Sequence, residues 1–197
     1  MNSLEDTRPL TDQIAELQNQ FYAQNTKSTF FKNTQKIECA AAITQSIQID
    51  ELFKKTVYCV PNTNRVYFDY TIFKTYGHPG IYDQLMDYSL AIFTACIEAY
   101  GRFEIHINLQ SFTMTAAQRY RDITQIFFTR CLQRNTVFYN HIDSLHIYNP
   151  PKMIDALSNL FSGFIDDTIR SKICIHSPMQ NWFFIANYVN KYPLLLT

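Results

Sequence analysis

The stretch LHIYNPPKMIDALSNLFSGFIDDTIRSKICIH, residues Leu145–His176, reads as strand, proline turn, apolar helix and second strand. Asn149 suits a helix N-cap and Pro150 the first helical position. Met153, Ile154, Leu157, Leu160, Phe161, Phe164 and Ile165 then fall on one broad face, with Lys152, Asp155, Ser158 and Asn159 opposite. Asp166 and Asp167 stand where the next short helix, DDTIRSK, needs a cap and negative charge. Two readings of the apolar helix follow. Periodicity alone fits a helix buried against a sheet. The other reading, which the residues leave open, is a movable cover over a bound molecule.

Working outward, the neighbouring segments supply the sheet that such a helix needs. RFEIHINL alternates strictly, with Phe103, Ile105, Ile107 and Leu109 against Glu104, His106 and Asn108. VYCVPNTNRVYFDY reads as strand, turn, strand, the turn built on Pro61, Asn62 and Asn64. IYDQLMDYSLAIFTACIEAYG is a helix stopped at Gly101, and Leu90 to Ile97 is apolar nearly all round. TAAQRYRDITQIFFTRCLQRN is predicted as one helix with a capping box of Thr115 and Gln118. From Tyr82 onward, helices and strands alternate, which predicts an α/β domain with a mainly parallel sheet flanked by helices. The hairpin adds antiparallel pairing at one side. Residues 1–50 read as an N-terminal helical extension and connector, with a helix from Thr7 and Pro9, and residues 51–197 as the main domain. PMQNWFFIANYVNKY closes as a short aromatic helix.

Composition narrows the function classes. The chain has 197 residues with 17 basic and 17 acidic side chains, so net charge offers no argument for nucleic acid. Four arginines, Arg119, Arg121, Arg130 and Arg134, read as the solvated face of one helix. Five cysteines without a CxxC pair read as free thiols of a reducing compartment. No signal-like segment and no run of eighteen apolar residues is present, so a cytoplasmic protein, peripheral at membranes, is expected. Aromatic side chains make up 15% of the chain, which furnishes either a ring-rich core or a ring-lined cavity.

No catalytic or cofactor motif is found: GxSxG, a Walker loop and GxGxxG are all missing, and glycines number 4. His106, His146 and His176 each sit in or at the end of a predicted strand, so neighbouring strands would bring the rings together. Their spacing matches no metal motif, and hydrogen-bonded histidines on the less apolar face of the sheet are expected. No metal, cofactor or enzymatic activity is therefore assigned.

The opening stretch, with NRVYFDY and RFEIHINLQSFT before it, resembles the CRAL-TRIO lipid-binding family over Val57 to His176. Members carry a strand, an Asn-x-Pro-like turn, an apolar helix, and a short segment ending in Lys-Ile. Asn108 stands where members usually have Asp. The resemblance implies an α/β sheet that floors a lipid cavity, with the helix after the turn as its gate. It implies a non-enzymatic protein that binds, and in some members transfers, a lipid or other hydrophobic small molecule during transient membrane contact. The residues nominated for the cavity and gate are Tyr70, Phe73, His106, Asn108, Leu157, Leu160, Phe161, Phe164 and Ile165. Lys172 occupies the position of the phosphoinositide headgroup lysine, and Asn140 that of its acidic partner. The alternative is a BCH-like interaction module with a filled cavity, binding a small GTPase or adaptor protein.

Overall fold

The computed structural model describes residues 8–25, 30–152, 163 and 165–176. Three helices come first: α1 (Leu10–Gln24), α2 (Lys32–Ser46) and α3 (Ile49–Thr56). The stretch IECAAAITQSIQIDELFKK is helical in both halves, parted at Ile47, whose backbone is extended. α3 carries Asp50 and Glu51 in its first turn and Lys54 and Lys55 in its last, matching both ends of its dipole. Ile14 of α1 and Cys39 and Ile43 of α2 are buried in the same apolar cluster as the sheet.

The hairpin forms β1 (Val57–Cys59) and β2 (Arg65–Asp69), followed directly by α4 (Tyr70–Tyr76). Asp69 caps α4, its carboxylate accepting from the Thr71 backbone N–H at 2.7 Å. Next are α5 (Tyr82–Tyr100) and β3 (Phe103–Asn108). α5 ends at Gly101, whose φ of 75° is the left-handed conformation that glycine adopts without steric cost. Then come α6 (Met114–Arg119), α7 (Arg121–Phe127), α8 (Val137–His141) and β4 (Ile142–Tyr148). The last described elements are α9 (Asp167–Ser171) and β5 (Ile173–Ile175).

The five strands form one sheet in the order β1-β2-β3-β4-β5. Only the β1–β2 pair is antiparallel. The other three pairs are parallel, as the helix–strand alternation predicts. The register aligns Tyr67, His106, His146 and Cys174 across β2 to β5, so their parity is shared from strand to strand.

Two local expectations change. The single helix predicted after β3 is broken at Tyr120 and ends in a π-helical turn at Phe128–Leu132. Tyr120 is buried against the rings of Tyr70 and Phe73, and its hydroxyl donates to the Lys74 carbonyl at 3.3 Å. Those tertiary contacts fall at the joint between α6 and α7. The cap of α6 is Thr113, which accepts from Ala116 N–H, rather than Thr115. Asp166 does cap α9, accepting from Ile169 N–H at 2.9 Å. The C-terminal aromatic helix expected from Pro178 lies outside the described residues.

Candidate functional site

Alternation along each strand writes two different surfaces on the sheet. One face carries Val66, Phe68, Ile105, Ile107, Leu145, Ile147, Ile173 and Ile175, and these floor a cavity of about 260 Å³. α4 contributes Tyr70 and Phe73 to its wall, α5 contributes Leu85, Met86, Ser89 and Phe93, and α7 contributes Ile123, Thr124 and Phe127. Among the described residues, no charged side chain lines it. The volume is near the lower end of ligand pockets, roughly 300–1,000 Å³.

Burial is graded along the strands. Val66, Ile105 and Leu145 are buried, whereas Ile107, Ile147 and Ile173 are half-buried and Ile175 is 51% exposed. Side chains toward the carboxyl ends of β3, β4 and β5 are therefore the more accessible ones. That is where ligands bind in open α/β sheets.

The opposite face is polar and aromatic. Tyr58 stacks on Tyr67, Tyr67 on His106, His106 on His146 and His146 on His176, with centroids 5.6, 4.5, 4.6 and 5.1 Å apart. One row of rings thus crosses from β1 to the end of β5. The ring nitrogens of His106 and His146 are all partnered within the row and beside it. His106 Nδ1 lies 3.0 Å from the Tyr148 hydroxyl and Nε2 lies 3.2 Å from Glu104 Oε2. His146 bonds Ser144 through Nε2 at 2.9 Å and His176 through Nδ1 at 2.8 Å. Burial pushes His106 down to about 4, against the opposing effect of the hydrogen bond it donates to the Glu104 carboxylate. Burial and the neighbouring His176 lower His146 as well. Both rings are neutral at pH 7.

The nominated residues separate accordingly. Tyr70, Phe73 and Ile165 line the cavity. His106 and Asn108 belong to the polar face, a parity opposite to Ile105 and Ile107. Asn108 is buried at the end of β3. Its carbonyl oxygen accepts from Gln110 N–H and the Asn149 amide, and its own amide faces Asp69. Lys172 is half-buried, and its ammonium donates to the Ile142 carbonyl at 2.6 Å. Asn140 is exposed on α8. Leu157, Leu160, Phe161 and Phe164 lie outside the described residues, so the structure describes no gate.

Sequence reasoning named neither the β4 and β5 isoleucines of the floor nor the α5 and α7 wall. The signal was present for the floor, since the isoleucines of RFEIHINL, SLHIY and KICIH share one parity. The histidines share the other. A single sequence does not say which parity faces the helices.

A family model described as CRAL/TRIO domain matches residues 66–192. Among solved structures, the chain is similar to the crystal structure of Sfh5, with 10% identity and a TM-score of 0.48 over 83% of this chain and 67% of that one. No curated protein matches by sequence.

Proposed function

The chain belongs to the CRAL/TRIO domain family, whose members bind lipophilic ligands, and from that premise we propose that it binds a lipid or similar hydrophobic molecule without catalysis. The observation that carries this reading is the cavity itself: five strands floor it, three helices wall it, and among the described residues no charged side chain enters it. Each buried acyl methylene contributes about 0.8 kcal/mol, so an apolar chain is held without any strong headgroup contact.

The reading extends to the proposed gate. The segment holding Leu157, Leu160, Phe161 and Phe164 connects the end of β4 to Ile165, which lines the cavity. A cover at that point would close over the accessible strand ends. Lys172 is the proposed headgroup contact. Its ammonium has three donors and spends one on Ile142, which leaves two for a phosphate or carboxylate. Transfer would also need a bilayer contact. Phe30 and Phe31, 94% and 71% exposed beside Lys32, are suited to a peripheral one. No described helix is long and apolar enough to cross a membrane.

Native mass spectrometry of the purified chain, followed by solvent extraction, tests the proposal. A stoichiometric hydrophobic adduct is expected, and it should be lost when Ile147→Trp fills the cavity. A bare protein mass from both forms, after incubation with mixed-lipid vesicles, would sink the reading and leave the interaction module with a filled interior in its place.

A further inference from the structure

The geometry points to a divalent transition-metal site, of zinc type, formed by Glu104, His106 and His146 on the face of the sheet opposite the cavity. The ligand atoms of these three side chains all lie within 4.8 Å of one another. The parallel register sets His106 beside His146 and Glu104 beside Ser144, so two imidazoles and a carboxylate meet on two adjacent strands. Imidazole and carboxylate together suit Zn²⁺ and its first-row neighbours.

The orientation of the rings strengthens the case. Both Nε2 atoms turn toward the Glu104–Ser144 row: that of His106 approaches Glu104 at 3.2 Å and that of His146 approaches Ser144 at 2.9 Å. Both Nδ1 atoms turn the other way and are held, by the Tyr148 hydroxyl at 3.0 Å and by His176 Nε2 at 2.8 Å. Metal-binding imidazoles are held in this manner, with the far nitrogen donating to a fixed acceptor. For a ligand Nε2, the ring proton moves to Nδ1. Tyr148, which can donate or accept, then accepts from His106, and His176 accepts from His146. No net proton is gained or lost by either ring.

Ligands about 2.0–2.2 Å from one zinc ion stand roughly 3.3 Å apart. The two rings are stacked at 16°, so binding turns them toward a common point as well as tightening the group by at most ~1.5 Å, a shift of side-chain torsions rather than of strands. Three protein ligands leave a fourth position for water or a small anion. Arg65 is the competing cation. Its Nε donates to Glu104 Oε2 at 3.2 Å, and its side chain is 54% exposed, so it is free to swing into solvent when an ion arrives.

The test is a Zn²⁺ titration of the whole chain after chelator treatment, in competition with a chromophoric chelator. One equivalent is expected, and Co²⁺ should give the visible absorption of a low-symmetry N/O site. Glu104→Gln and His146→Asn should each weaken binding at least tenfold, and His176→Asn less. Arg65→Gln should tighten it. His141→Asn, half-buried at the end of α8 with its ring on the Gly101 carbonyl and away from the three ligands, should leave it unchanged. Glu104 and His146 are only partly buried, so these variants stay informative even if His106→Asn fails to fold. Binding that is absent, substoichiometric, or equal in wild type and His146→Asn would overturn the site. The cavity-filling Ile147→Trp should bind zinc as wild type does, which separates this result from the fate of the lipid reading.

Discussion

The two faces of the sheet are written by the same residues in alternation, yet they meet opposite demands. On the cavity face, β3 places Ile105 and Ile107, and no polar group needs a partner. On the other face it places Glu104, His106 and Asn108, and every one is hydrogen-bonded. On the proposed lipid reading the apolar face gains by leaving space, because a hydrophobic ligand would complete its burial. The polar face gains by having partners, because each unpaired polar atom in a buried place costs roughly 1–3 kcal/mol. The apolar face accordingly accepts added apolar bulk but not a charge, whereas the polar face accepts a polar group that finds a partner but not the loss of one.

The largest test of this contrast puts a charge on each face. Ile105→Asp buries a carboxylate with no partner among Val66, Leu145 and Phe103, and should abolish the cooperative melt. Ser144→Asp puts the same charge at a half-buried position where the His146 ring can donate to it, and should cost clearly less in urea titration, about 1–2 kcal/mol with the repulsion from Glu104 opposite included. Similar losses at the two positions would show that the faces do not differ in the way argued.

A second test removes volume from the polar face. Tyr67 is 3% exposed and stacks between Tyr58 and His106. Tyr67→Ala should cost about 3–4 kcal/mol in chemical denaturation, since an aromatic truncation leaves a cavity and two unstacked neighbours. Lipid loading of the folded fraction should survive.

The third test adds volume to the cavity face. Ile147→Trp should abolish ligand loading yet shift stability by less than about 1 kcal/mol, because it grows into existing space. In a close-packed core the same enlargement costs typically 1–3 kcal/mol, so a large loss of stability would mean there is no usable cavity.

How much of this was legible beforehand follows from the range of each signal. Alternation in RFEIHINL, the hairpin turn, the Gly101 stop and the all-round apolar α5 act within a few residues, and each was readable. The broken helix at Tyr120 was not, because rings from α4, distant in sequence, occupy the joint. Parity was readable, but assigning His106 and Asn108 to a cavity needed knowledge of which face the helices cover. The meeting of His106, His146 and His176 depends on parallel register, and crossover lengths between parallel strands follow no short motif. That is why no metal spacing was visible in a sequence whose fold brings the ligands together.

The smallest effect is the most selective. Tyr148→Phe removes only the hydroxyl that faces His106 Nδ1 at 3.0 Å and keeps the ring stacked on His176 at 4.6 Å. The loss should be about 1 kcal/mol of stability, the ordinary net worth of one hydrogen bond. Lipid loading should be untouched, since Tyr148 lies outside the cavity lining. Zinc affinity should fall about tenfold, because a partner of this kind fixes the ring that binds the ion. A change in lipid loading without a change in zinc affinity would invert the division of labour between the faces. The reverse pattern would tie the hydroxyl to the polar face alone and make the sheet a wall between two independent sites.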